Sequence, residues 1–377
     1  MLNEQLISAA MTRLGLNQAA LADTCGVSRE AVSKWLSGES VPRPAKLRAI
    51  AEALQTSVDK LVVRDEQDEP VIAFRTRLKE PLSGKAKARA QEMGRHYRQL
   101  LPFVGGARLY SPRLLDEPKV DEAYISEAVA DLRASLKLAP TESPSIAQLI
   151  DVLHDIGAHI VPVIWGGDKV GHENALTIYL PESKTSWVVL NLSAGQDDFK
   201  YWLAHELAHC LTLHKLTDDE GELFAERYAQ LLVFPDALAA QALAAMRAST
   251  NPREEALYFA GRHGVSVVTV VKSADRIAVA CGQDPTGVET EAFYEEWNRN
   301  RANRPTVAVD LFGNEPPTAD AFVETSSRTF RTNVFDAIAR LHKAQGGHSP
   351  AFVATLLNVE LDQARELSSF LASSYQP

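Results

Sequence analysis

Cysteine is scarce in this chain: three residues of 377, Cys25, Cys210 and Cys281, and no C-x-x-C pair. That excludes a disulfide framework, fits a reducing cytoplasm, and leaves each thiol as a small buried side chain. Long apolar runs are missing too. None approaches the ~20 residues that span a bilayer, so no membrane partner is expected. The opening Met1-Leu2-Asn3-Glu4 lacks the basic-then-apolar pattern of a secretory leader, which again points to the cytoplasm. Positive charge is in deficit, and a net charge of -10 rules out a uniformly nucleic-acid-binding surface. The deficit is uneven: residues 1–64 carry eight Lys+Arg against six Asp+Glu, a balance of +2, while the remainder carries -12. Any DNA contact is therefore expected from the N-terminal segment. The 45% hydrophobic and 23% charged content suits a soluble globular protein, and the length asks for two or three domains.

The centre of the chain holds His205-Glu206-Leu207-Ala208-His209. On a helix this spacing sets two imidazoles one turn apart on one face, where both can reach one metal ion, with the glutamate beside them facing a bound water. Trp202, Leu203, Ala204, Leu207, Cys210 and Leu211 make the helix apolar nearly all round, so it is expected to be buried. A lone Glu206 there is costly unless its charge is compensated, and a divalent cation does that directly. This is the pattern of a zinc peptidase, with Glu206 as catalytic base. Thr212 and Lys215 stand where a metzincin extension would place a glycine and a third histidine, so that class is excluded.

A third protein ligand would leave the fourth tetrahedral position open for water. Thr217-Asp218-Asp219-Glu220 reads as a capping box that opens the next helix, and Pro235 marks its far boundary. Glu222 and Glu226 fall on one face of that helix, with small Ala225 and Ala229 allowing close approach. Glu222 is assigned as the third ligand and Glu226 as the acceptor for a ligand histidine's outer N–H. The alternative is a pair of solvated glutamates on a surface helix.

The run Glu222-Leu-Phe-Ala-Glu-Arg-Tyr-Ala-Gln-Leu-Leu-Val-Phe-Pro235, following His205 to His209, resembles the ImmA/IrrE family of zinc metallopeptidases. The likeness implies one zinc ion per chain held by His205, His209 and Glu222. Two positions depart from the family pattern: Glu226 stands where Asn or Asp is usual, and Val233-Phe234 replaces Leu-Met.

At the N-terminus, Leu6, Ile7, Ala10 and Leu14 recur at helical spacing until Gly15, and a short helix from about Gln18 to Cys25 turns at Gly26. Ser28 caps a third helix to Leu36, Pro44 opens a fourth through Leu54, and Ser57 caps a short fifth. Two short helices joined by a tight glycine turn are the helix-turn-helix unit. Asn17-Gln-Ala-Ala-Leu-Ala22, Gly26-Val-Ser-Arg-Glu-Ala-Val-Ser-Lys-Trp35 and Gly38-Glu-Ser resemble the Xre-type, lambda-repressor-like DNA-binding domains. The third helix would enter the major groove and present Arg29 and Lys34, and Gln18 and Ser28 would add hydrogen bonds to base or backbone. The alternative is a helix-turn-helix used only for protein contacts.

Residues 65–70 read as an acidic linker, Val71 to Phe74 as a short strand, and Lys85 to Leu101 as a basic helix whose Arg89, Arg95, His96 and Arg98 read as a solvated face, with a second nucleic-acid contact as the alternative. Helices over 124–138 and 145–157 precede a strand at 159–165 and an antiparallel hairpin, 175–180 with 186–192. Ser186 to Leu192 is expected at the sheet edge that receives substrate as an added strand. His154, His159, His172 and His214, like Arg227, Tyr228 and His263, are weaker candidates for metal or oxyanion roles. Residues 283–318 read as a poorly packed connection, followed by amphipathic helices over 333–343 and 350–374.

The expected fold is mainly α and multidomain. It comprises a five-helix DNA-binding domain (1–64), a linker and connecting helix (65–119), an α+β zincin-like metallopeptidase domain with a small antiparallel-containing sheet (120–282), and a C-terminal helical region (283–377) for docking or homodimer contacts. The expected function is a DNA-binding transcription regulator whose zinc endopeptidase cuts a partner protein, a repressor or antitoxin-like regulator. Two alternatives stand beside it: a transcription factor whose zinc domain is a non-hydrolytic sensor, and the toxin component of a toxin-antitoxin or phage-defence pair.

Overall fold

The computed structural model describes residues 2–37, 40, 42, 44–56, 61, 69–73, 84–104, 114–165, 175–300, 305–344, 347 and 349–374. The chain forms two compact units, Met1–Glu69 and Pro70–Pro377.

The first unit is helical: α1 Glu4–Leu14, α2 Gln18–Cys25, α3 Arg29–Leu36 and α4 Pro44–Ala53. Local chemistry sets the boundaries. Asn3, Asn17 and Ser28 accept hydrogen bonds from backbone N–H groups in the first turns of α1, α2 and α3. Gly15 and Gly26 end α1 and α2 at φ of 66° and 61°, a left-handed conformation that side chains resist. Ile7, Leu21, Val32, Trp35, Ile50, Leu54 and Leu61 form the core. Each such aliphatic side chain contributes about 1.5–3 kcal/mol on burial. The expected fifth helix, capped by Ser57, and most of the expected acidic linker lie outside the described residues.

The second unit is built on a four-stranded mixed sheet in the order β1-β3-β4-β2: β1 Val71–Ala73, β2 His159–Val163, β3 Ala175–Leu180 and β4 Thr185–Asn191. β1 and β4 both run antiparallel to β3, and β2 runs parallel to β4. The helices are α5 Gly84–Leu100, α6 Glu122–Ser135, α7 Ile146–Asp155, α8 Gln196–Thr212, α9 Asp218–Val233, α10 Asp236–Ala248, α11 Pro252–His263, α12 Val267–Ala280, α13 Thr290–Asn300, α14 Val307–Phe312, α15 Ala319–Phe330, α16 Val334–Ala344, α17 Pro350–Leu357 and α18 Leu361–Ser374. Both α8 and α5 pack on β3. Tyr97 of α5 stacks on Trp187 of β4 with ring centroids 4.6 Å apart. No single helix among the described residues is long and apolar enough to cross a membrane.

Several sequence expectations are corrected here. Ser186 to Leu192 is not an edge: β4 lies between β3 and β2, and among the described residues the edges are β1 and β2. Its burial on both faces accounts for the consecutive apolar residues Trp187 to Leu190, the pattern of an interior strand. The connecting helix and the C-terminal helices belong to the same unit as the sheet. Ala90, Met93, Tyr97 and Leu100 give α5 an apolar stripe that joins one core running on to Leu371. Tyr97 and Trp165 donate to the carbonyls of Leu356 and Leu357 at 2.9 Å, stitching α17 to that core. Within 283–318, α13 and α14 replace the expected loose connection, with Phe293 buried. The helix expected over 350–374 is two, separated by Asn358 at φ of 54°. The capping box at Thr217 is not made: its hydroxyl forms no cap hydrogen bond, and Asp218 takes a φ of 50°.

Candidate metal centre and nucleic-acid interface

Helix α8 is buried from Trp202 to Cys210, with His205 fully inaccessible and His209 2% exposed. Helix α9 packs closely along it. Gly221 sits at the approach, where a Cβ would lie 3.1 Å from the Leu216 carbonyl and 4.0 Å from Cε1 of His209. Ala225, one turn on, is fully buried. This proximity carries Glu222 to the histidine pair.

The Nε2 atoms of His205 and His209 face each other at 3.1 Å. The Glu222 carboxylate lies 3.4 Å from the first and 3.1 Å from the second. Tetrahedral zinc with bonds of about 2.0–2.2 Å needs ligand atoms about 3.3–3.6 Å apart. The triangle is slightly tighter than one face of that tetrahedron, two of its sides being 3.1 Å. The donor set fits: both Glu222 oxygens are buried without a directed hydrogen bond, and so is Nδ1 of His209. At these distances the three groups can share protons as hydrogen bonds or share one metal cation. Burial pushes the Glu222 carboxyl up, but the imidazoles of His205 and His209 outweigh it and hold it down to about 2. The rings of Tyr201 and Trp202 flank His205 at centroid distances of 6.3 and 5.6 Å.

Glu206 is outside this trio. It is 3% exposed, and its Oε2 accepts the Thr177 hydroxyl of β3 at 2.6 Å. Cys210, one turn along α8, has its thiol pushed up to about 12, first by burial and then by the charge of Glu206. Glu226 is exposed one turn beyond Glu222, and the expected bond from Nδ1 of His209 is absent.

The weaker candidates have other partners. Nε2 of His154 lies 2.8 Å from the Phe330 carbonyl oxygen, and His159 packs against Trp187 with its pKa depressed to about 4 by burial and by His154. Burial lowers His214 and His263 and raises Tyr228. Arg227 makes a two-pronged pair with Glu122. His172 lies outside the described residues. In α5, Arg98 pairs with Glu182 at 2.6 Å, and His96 lies on Phe352, so part of the basic face is engaged within the fold. Sequence reasoning missed Thr177 and Gly221. The signal for Thr177 was available: a hydroxyl inside the run Ala-Leu-Thr-Ile-Tyr-Leu must find a buried partner.

In the first unit, Gly26 and Ser28 set α3 after α2 in the helix-turn-helix arrangement. Arg29 is exposed at the start of α3, and Gln18 is half-buried at the start of α2. Ser28 is exposed but spends its hydroxyl on the cap, accepting from Ala31 N at 3.1 Å. Lys34 reaches back to Glu30 at 3.3 Å, an exposed pair that phosphate can displace. Lys46 of α4, not singled out from sequence, donates to the carbonyls of Cys25 at 2.8 Å and Gly26 at 3.2 Å, which closes the turn.

No curated protein and no solved structure matches the chain. Residues 7–61 match the helix-turn-helix family. The Xre-like resemblance thus holds over the first unit, and through that unit the chain is a DNA-binding transcription regulator.

Proposed function

We propose that this regulator carries a zinc-dependent endopeptidase in its second unit, of the ImmA/IrrE kind, directed at a partner regulator such as a repressor or antitoxin-like protein. The observation that carries the reading is the convergence of His205, His209 and Glu222, whose ligand atoms all lie within 4.8 Å of one another, beside Glu206 of the same H-E-x-x-H. When bound there, zinc supplies a Lewis acid for a scissile carbonyl and a water acidified to near neutrality. Glu206 takes a proton from the attacking water and passes it to the leaving amine. Thr177 fixes one oxygen of that carboxylate, which holds the side chain in place on β3. Attachment to a DNA reader raises the local concentration of a substrate bound at the same operator.

A second reading, a non-hydrolytic zinc-holding sensor, is favoured by the burial of Glu206 and its engagement with Thr177. One substitution separates the two. Glu206→Gln is expected to abolish cleavage of the partner while zinc content and operator binding stay at wild-type levels. Unchanged regulation in cells carrying that variant would reject hydrolysis and leave the sensor.

A further inference from the structure

Strand β1 pairs antiparallel with β3 through Val71↔Tyr179, Ile72↔Ile178 and Ala73↔Thr177. It holds a sheet edge, and among the described residues no strand lies beyond it. Two features tie this edge to the metal centre. Thr177, opposite Ala73, is the residue whose hydroxyl holds Glu206. β1 also touches α9, the helix that carries Glu222, and Val71 and Ala73 cluster with Tyr179 and with Leu213 at the end of α8. An extended backbone in this position therefore lies opposite the residue that holds the carboxylate and touches the helix of the third ligand.

Zinc peptidases of this plan take substrate as a strand added to a sheet edge; we propose that here β1 occupies that edge of β3 in cis, as a displaceable strand. This deepens the peptidase reading above and rests on it. The substrate class follows from the register: an extended segment with small or branched apolar side chains at alternate positions, like Val71 and Ala73, held to β3 by backbone hydrogen bonds. β1 is suited to leave. Val71 and Ile72 are only half-buried. Its anchor is local. Pro70 lies against Gly94 of α5, so closely that a Cβ at Gly94 would come 2.7 Å from Cβ of Pro70. The strand also starts directly after the boundary between the two units at Glu69 and Pro70. Competition between β1 and a peptide makes cleavage conditional.

The test uses the full-length, zinc-loaded chain with fluorescent casein as an unfolded probe. Val71→Cys with Tyr179→Cys places two thiols on directly opposed antiparallel residues, within reach of a disulfide. Oxidation is expected to lower cleavage at least tenfold without loss of zinc, and reductant to restore it. Gly94→Ala, which crowds Pro70, is expected to raise cleavage several-fold. A readout independent of activity is hydrogen exchange in the Glu206→Gln chain: excess peptide Pro-Val-Ile-Ala should deprotect β1 amides while β4 stays protected. Equal cleavage by the locked and reduced forms, or β1 exchange indifferent to peptide, overturns the assignment. The exchange arm decides the strand site even if no variant cleaves, an outcome that would remove the peptidase reading instead.

Discussion

Thr177 and Glu206 meet across the interface of β3 and α8, the hydroxyl donating to the carboxylate at 2.6 Å with both side chains out of solvent. A buried carboxylate oxygen left without its donor costs about 1–3 kcal/mol or more. Thr177→Val is therefore expected to lower unfolding stability by at least that amount, and Thr177→Ser to recover most of it. Urea unfolding of the two variants checks this. Equal stabilities would mean that the hydroxyl contributes nothing.

The convergence of His205, His209 and Glu222 predicts metal-linked stability. A ligand that binds only the folded state stabilises it by about 2.7 kcal/mol at a hundredfold excess over Kd. Chelator should lower the Tm of the wild-type chain by several degrees and leave His209→Ala and Glu222→Ala unmoved, with zinc content falling from one per chain to near zero in both. A chelator-insensitive wild type would argue against a metal there.

His159 sets an acid-side limit. Burial, aided by His154, lowers its pKa to about 4 from an ordinary 6.5. Between those values the unfolded chain binds the proton and the folded chain does not, so stability is full above about pH 6.5 and declines as pH falls toward 4. The loss is on the order of 3 kcal/mol. His159→Phe, which keeps a ring against Trp187, should flatten the unfolding profile between pH 4 and 7 relative to wild type.

In the first unit two cations have separable tasks. Arg29 is exposed on α3, so Arg29→Ala should weaken operator binding by about tenfold or more at unchanged Tm. Lys46 holds two backbone carbonyls at the α2 turn, and Lys46→Met should cost about 1.5–3 kcal/mol of stability before it costs affinity. Binding titrations paired with thermal melts distinguish them, and the reverse pattern would exchange the two roles.

The sequence by itself determined what a single turn of backbone can encode. Asn17 and Ser28 start helices because their side chains bond the next turn's N–H groups, and Gly26 ends one because it accepts a left-handed φ. The i,i+4 spacing of His205 and His209 is of the same kind, since helix geometry fixes it without reference to the rest of the fold. Only the tertiary structure decided what depends on distant segments meeting. It placed β4 inside the sheet and β1 at its edge, gave Glu206 its partner in Thr177, drew α5 and the C-terminal helices into one unit with the sheet, and turned Glu226 to solvent while Glu222 faced the histidines. Strand order and the approach of one helix to another are set by packing between residues far apart in the chain, and no local period records that.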